Sequence, residues 1–396
     1  MTAGKLRIGY IPLVDAAALI VAVDLGFMAA QNLDVELVRE VSWSNVRDKL
    51  NIGLFDAAHL LAPVAVASSL GIGHVRVPII APFSLGLNGN AITVSPRLFA
   101  ALESRAEGDI TDPHVSALAL ARVVEDRKSR NAEPLNFGMT FPFSHHNYQL
   151  RYWMAAGGID PDEDVRLVVL PPPYMVESLT NGHVDGFCVG APWNSVAVDA
   201  GIGRILHFGC EIQSRVTEKV FAVREKWAGE NPETLAALIR ALAAAAAFVE
   251  TPENLTAVAD AIANRLDVTA EIAARALTGN LKVAVDGTVR ATDRYLMIGR
   301  NGAARPDPVQ AAWIYAQIVR WGQAPLSDES LALAQASFRP DLYDAAVGTS
   351  PPVGPGEPGD GIGGFIGMPF DPADIAGHLA SWRRNKPGKP KLSVVR

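Results

Sequence analysis

The sequence predicts an α/β fold of two lobes with a cleft between them. Short β-rich runs alternate with Ala/Leu-rich helical stretches, and the character turns wholly helical after Pro232. At 396 residues, with 49% hydrophobic and 19% charged composition, the chain is long enough for each lobe to bury its own core.

The elements follow in order. LRIGYI reads as a first strand over residues 5–11, AAALIVAVDLGF as a helix and LDVELVRE as a second strand. A polar turn then leads into a helix at NVRDKLNIGLF. A further strand is expected at 75–80, a hairpin-like link at 88–90, and strands at 135–139 and 165–169. The apolar run 184–189 reads as a buried strand. PETLAALIRALAAAAAFVE follows Asn231 with apolar residues at helical spacing, and 267–277 and 307–321 continue the helical pattern. Chain crossings are expected near 92–95 and 214–221. One lobe then comprises residues 1–93 and 216–396, and the other 94–215. Residues 350–367 are rich in Pro and Gly and read as a loop or a wrap over a lobe. The last 14 residues carry six Lys/Arg and no acid, the pattern of a solvated tail.

Composition excludes several functions. A net charge of -7 leaves no basic field for phosphates, so direct nucleic-acid binding is not expected. Cys188 lies in the apolar run GFCVG and reads as a small buried hydrophobe, so no disulfide with Cys210 is expected. The fold begins at once, with no room for a secretory signal, and residues 235–249 fall short of the roughly 20 needed to span a bilayer. A cytoplasmic location is the expectation. No GxxxxGK[ST], HExxH, CxxC, GxSxG or DxDxDG motif is present, and GIGGFIG has the wrong spacing for a dinucleotide fingerprint.

Five segments place polar groups in apolar or aromatic settings. In SWSNVRDKL, Trp43 precedes a helix that Ser42 or Ser44 would cap, and its indole N–H can meet an anion or simply pack. In LNGNAITV, Asn90 sits near a crossing, although Asn-Gly is also an ordinary turn signal. In TFPFSHHNYQLRYW, His145 and His146 open an amphipathic helix; they suit an anion, a metal or a surface loop, and no third ligand stands at metal spacing. In DGFCVGAPWN, Gly186, Gly190 and Pro192 allow close backbone approach. In TEKVFAV, Lys219 is either a solvated strand residue or a buried ammonium. Together they suit a small monovalent oxyanion, which needs several N–H donors and a compensating charge in a dry pocket.

REVSWSNVRDKLNIGLFDAAHLLAP, LNGNAITV, RYWMAAGGIDPDEDVRLVVLPPPYMVESL, VDGFCVGAPWN and TEKVFAVREKW closely resemble the nitrate- and bicarbonate-binding proteins of bacterial uptake transporters. The resemblance runs from about Arg7 to Trp321. It implies a periplasmic-binding-protein-like fold (type II), no catalytic residue and no cofactor. Carried over residue by residue, it implies a nitrate site of Trp43, Asn90, His146 and Lys219, with Asn90 shortened from the family's Gln. Ala191 stands where the family commonly has Glu, which disfavours bicarbonate and metal and favours nitrate or nitrite. Absence of an export signal resembles the cytoplasmic NasS-type branch. That branch implies a nitrate/nitrite sensor whose partner is a NasT-type RNA-binding antiterminator controlling nitrate assimilation genes. The alternative is the substrate-binding component of a nitrate ABC transporter, with a permease as partner. An enzyme on the same fold would need a reactive nucleophile, and Cys188 in an apolar strand is a poor one.

Overall fold

A computed structural model describes residues 5–348 and 361–383. In chain order the strands are β1 (Leu6–Tyr10), β2 (Val35–Arg39), β3 (Ala57–Leu61), β4 (Ile79–Asn88), β5 (Asn90–Val94), β6 (Asn136–Met139), β7 (Arg166–Val169) and β8 (Gly186–Gly190). There follow β9 (Arg204–Phe208), β10 (Gln213–Ser214), β11 (Thr217–Arg224), β12 (Asn280–Lys282), β13 (Val289–Ala291), β14 (Leu296–Met297) and β15 (Gly363–Gly364).

Two mixed sheets organise them. One has the order β14-β4-β11-β3-β1-β2, and the other β7-β6-β8-β5-β9. In both, three parallel strands are joined to an antiparallel strand that arrives from elsewhere in the chain: β11 beside β3, and β5 beside β8. This shared order is the type II arrangement that the family resemblance implies. Covering helices give each sheet its core. Ala17–Asp24 and Pro232–Val249 pack on one face of the first sheet, and Trp43–Asn51, Ala62–Leu70 and Pro308–Arg320 on the other. Pro232–Val249 is long and apolar enough to cross a membrane by length and composition. Here it buries Leu235, Leu238, Ile239 and Leu242 in the core instead.

Four expectations need correction. Residues 75–78 have no regular structure, and the strand runs over Ile79–Asn88, where the neighbouring β11 supplies its hydrogen bonds through bulged pairing. No hairpin forms at 88–90. Gly89, at φ 91°, lets the chain leave the first sheet and enter the second directly, so the first crossing precedes 92–95. The second is complete by Thr217, where β11 is already central in the first sheet. Finally, Ala312, Trp313, Ala316, Ile362, Phe370 and Leu379 join the core of the second sheet. The chain after 216 therefore bridges both lobes, because its helices bury apolar faces against each.

The described end of the Pro/Gly-rich segment is ordered as a wrap. β15 pairs antiparallel with β10 at the second crossing, and Ser214 Oγ donates to the Gly361 carbonyl at 2.7 Å. The rest of that segment, 350–360, and the basic tail beyond residue 383 lie outside the described residues. Cys188 and Cys210 are free thiols.

Candidate functional site

Lys219 sits near the start of β11, fully buried, so the solvated-strand alternative does not hold. Pairing with β4 shifts register on both sides of Lys219. Such bulges re-aim side chains, and consecutive residues Glu218 and Lys219 here meet: Lys219 Nζ donates to Glu218 Oε1 at 2.9 Å. Asp15 Oδ2 lies 2.8 Å from the same ammonium, near enough for an ion pair though off the line of a hydrogen bond. Asp15 Oδ1 in turn accepts from His59 Nε2 at 2.9 Å, which fixes that imidazole with its other nitrogen bare.

Asn90 enters from β5. Its Nδ2 donates to Glu218 Oε2 at 2.8 Å and to Gln149 Oε1 at 3.3 Å. Both amide protons are thereby committed, and Oδ1 is the atom left without a partner. Gly190 allows β8 to close on this point, since a Cβ there would stand 3.2 Å from Asp15 Oδ2 and 3.5 Å from Asn90 Oδ1.

Two helix N-termini complete the surround. Ser42 caps the helix Trp43–Asn51 by accepting from Asn45 N, and Ser144 caps His145–Ala156 by accepting from Asn147 N. Trp43 occupies the first position of its helix, with its ring 5.4 Å from Lys219 Nζ and 5.4 Å from the His59 ring. His146 occupies the second position of the other. Its Nδ1 is 2.8 Å from Thr140 Oγ1, and its Nε2 is 3.6 Å from Glu218 Oε1. Trp43 Nε1 and His146 Nε2 are buried without hydrogen-bond partners. The positive ends of both helices thus accompany two free ring nitrogens and one ammonium.

All four residues expected from the sequence converge, each at 1% exposure or less. Four others belong with them: Asp15, His59, Gln149 and Glu218. Asp15 in LVDAAALIV and His59 in AAHLLA are lone polar residues within apolar runs, a signal that was open to reading. Glu218 had no such signal, because a Glu beside a Lys reads as an exposed pair.

Burial and charge pull against each other at this site. Burial tends to raise the Asp15 carboxyl, but Lys219 and the His59 hydrogen bond outweigh it and hold Asp15 at about 2. Burial likewise works against the Lys219 ammonium, and Asp15 and Glu218 more than offset it, so its pKa is raised. Desolvation lowers His59, and takes His146 to about 4 and His145 to about 3. The histidines are therefore neutral near neutral pH. Burial raises the Cys188 thiol well above its ordinary value, the opposite of what a nucleophile needs. Among the described residues no group of three His, Cys, Asp or Glu is placed to hold a metal ion.

Comparison with known proteins agrees with this architecture. The crystal structure of the periplasmic nitrate-binding protein NrtA from Synechocystis PCC 6803 superposes with a TM-score of 0.84, 26% identity, and 96% and 98% of the two chains covered. The nitrate/nitrite binding protein NrtA of Nostoc sp. is 31% identical over 96% of this chain and 86% of its own length. The bicarbonate transport ATP-binding protein CmpC of Synechococcus elongatus is 32% identical over 95% of this chain. The chain spans 54% of that ATP-binding relative's length. The fold is thus α/β and periplasmic-binding-protein-like. With the NMT1-like family model matching residues 2–263, the chain belongs to the NMT1-like family of solute-binding proteins.

Proposed function

We propose that this protein binds nitrate or nitrite between its two lobes and acts as the substrate-binding component of a nitrate transport system with an ABC permease as partner. The observation that carries the reading is that Trp43 Nε1 and His146 Nε2 are both buried and unpartnered, the Trp43 ring near the Lys219 ammonium and His146 near the Glu218 carboxylate that Lys219 holds. Free ring nitrogens and one cation suit an oxyanion that only accepts hydrogen bonds. The names of the nitrate-binding relatives support the same ligand, and the transport name of the CmpC relative favours the transport role. Ala191, 2% exposed beside Gly190, brings no carboxylate to the site, which supports nitrate or nitrite over a metal-assisted bicarbonate site.

Isothermal titration of the dialysed full chain tests the ligand. Saturable heats with nitrate or nitrite, and none with bicarbonate with or without calcium, are expected; no heat with either nitrogen oxyanion overturns the reading. The cytoplasmic sensor with a NasT-type antiterminator partner rests on the sequence resemblance. Co-purification separates the roles: a permease complex supports transport, and nitrate-reversible capture of the antiterminator supports the sensor.

A further inference from the structure

The charge at this site does not balance for a simple anion. Asp15 and Glu218 are two carboxylates facing one ammonium, Lys219, and the histidines around them are neutral. Counted at formal charges, the dry cluster therefore carries one net negative charge. A monovalent anion entering unaccompanied would make that two, in a setting where like charges are poorly screened. Lys219 is also largely spoken for, with both carboxylates within 2.9 Å of its Nζ.

Resting on the anion-binding reading above, we propose that the anion enters together with one proton, which His146 carries, with Glu218 and Thr140 placed to hold the resulting imidazolium. Both ring nitrogens have a built partner for that state. Thr140 Oγ1, 2.8 Å from Nδ1, can donate to the neutral ring and turn to accept from the protonated one. Nε2, 3.6 Å from Glu218 Oε1, is free to donate to the carboxylate or to the anion beside it. Charge then balances: the incoming negative charge is matched by the proton, and the cluster keeps the single net negative charge it had before. Other charged and titratable groups bear on His146 from every side. Glu218 and Lys219 face it from β11, Asp15 from the turn after β1, and His145 from its own helix. His59 on β3 is tied to Asp15. The acids favour a proton on His146 while Lys219 and His145 oppose it, and burial disfavours it without an anion. An anion at Nε2 removes that obstacle, which is what couples the two events.

Two other imidazoles lie near: the proton-bearing nitrogen of His59 already faces Asp15 and its bare Nδ1 has no partner, while Lys219 opposes a charge on His145 and only Gln213 and the Thr217 backbone favour it, with no carboxylate among them. His146 is therefore the assigned carrier, and Glu218 the positioning residue: one of its oxygens anchors Asn90, and the other faces His146 and Lys219.

Titrating the full chain with sodium nitrate in phosphate and in Tris, buffers of different ionisation heat, counts the protons. The expected result at about pH 6 to 8 is uptake near one proton per nitrate, with affinity weakening by up to about tenfold per pH unit as long as the bound state keeps that proton. His146→Gln, which keeps an N–H but cannot carry a charge, should bind nitrate more weakly than the unaltered chain at about pH 6, with uptake near zero and affinity flat with pH. Glu218→Gln should also lower the uptake, because its site starts one negative charge poorer. Saturable nitrate binding to the unaltered chain without proton uptake overturns the proposal and leaves the anion site standing. Persistent uptake in His146→Gln overturns the assignment to His146. Absence of nitrate binding at every pH overturns the anion reading itself, and this proposal with it. The unaltered chain decides the coupling even where a variant fails to fold.

Discussion

At the scale of single residues, Lys219 holds more than a ligand. Its ammonium separates Asp15 and Glu218, both buried, and a buried ion cluster that loses one member leaves an uncompensated charge in the interior. Lys219→Ala is therefore expected to lower stability by about 3–5 kcal/mol in urea unfolding, in addition to abolishing anion binding. A variant that kept its stability but lost binding would mean that the carboxylates have other partners. Asn90 shows a similar double duty. Its donors are turned toward Glu218 and Gln149, so the amide organises Glu218 before it can serve any ligand.

At the scale of elements, the short pairing of β15 with β10 ties the chain beyond 361 to the crossing between the lobes. Aromatic contacts hold the same segment: Tyr152 meets Trp382 edge-on at 4.7 Å, and the Arg320 guanidinium lies over both rings. The Tyr152 hydroxyl donates to the Ile366 carbonyl. Gly364 fits against this ring with no space to spare, because a Cβ there would stand 2.0 Å from the Tyr152 hydroxyl oxygen. Gly364→Ala should displace the wrap at a cost of about 1–3 kcal/mol, read as a lower thermal midpoint and faster proteolysis near residue 361. An unchanged midpoint would show that the β10–β15 pairing contributes nothing to stability. Sequence reading at this scale was uneven. The parallel strands β1, β2 and β6 to β8 stood out in the sequence, whereas β3 did not. β4 did not, since Pro82, Ser84 and Gly86 interrupt its pattern and only pairing with β11 makes it a ten-residue strand.

At the scale of the whole molecule, several buried histidines set the response to acid. His145, His146 and His207 have pKa values depressed to about 3, about 4 and about 3, in each case chiefly by desolvation. Between those values and the ordinary 6.5 the unfolded chain binds more protons than the folded one, so stability is full above about 6.5 and falls with the pH. Urea midpoints of the ligand-free protein should decline from about pH 6.5 toward about pH 4, with His146 alone costing on the order of 3 kcal/mol. Asp15, held at about 2, adds a further loss only at still lower pH. A midpoint flat from neutral pH to about pH 4.5 would contradict the neutral buried histidines.

The sequence by itself determined the α/β lobes and the family, because hydrophobic period and ordered local motifs are properties of neighbouring residues; Trp43, Asn90, His146 and Lys219 as a site came only as what the family resemblance implies. The role as sensor or transporter and the place in the cell were not determined that way, and the named relatives favour transport. Only the tertiary structure decided that Lys219 is buried, that Asp15 and Glu218 share its charge, and that Asn90 turns its donors toward Glu218. Those facts depend on strands from both sheets meeting at one desolvated point, where Asp15 and Lys219, some 200 residues apart, set each other's ionisation.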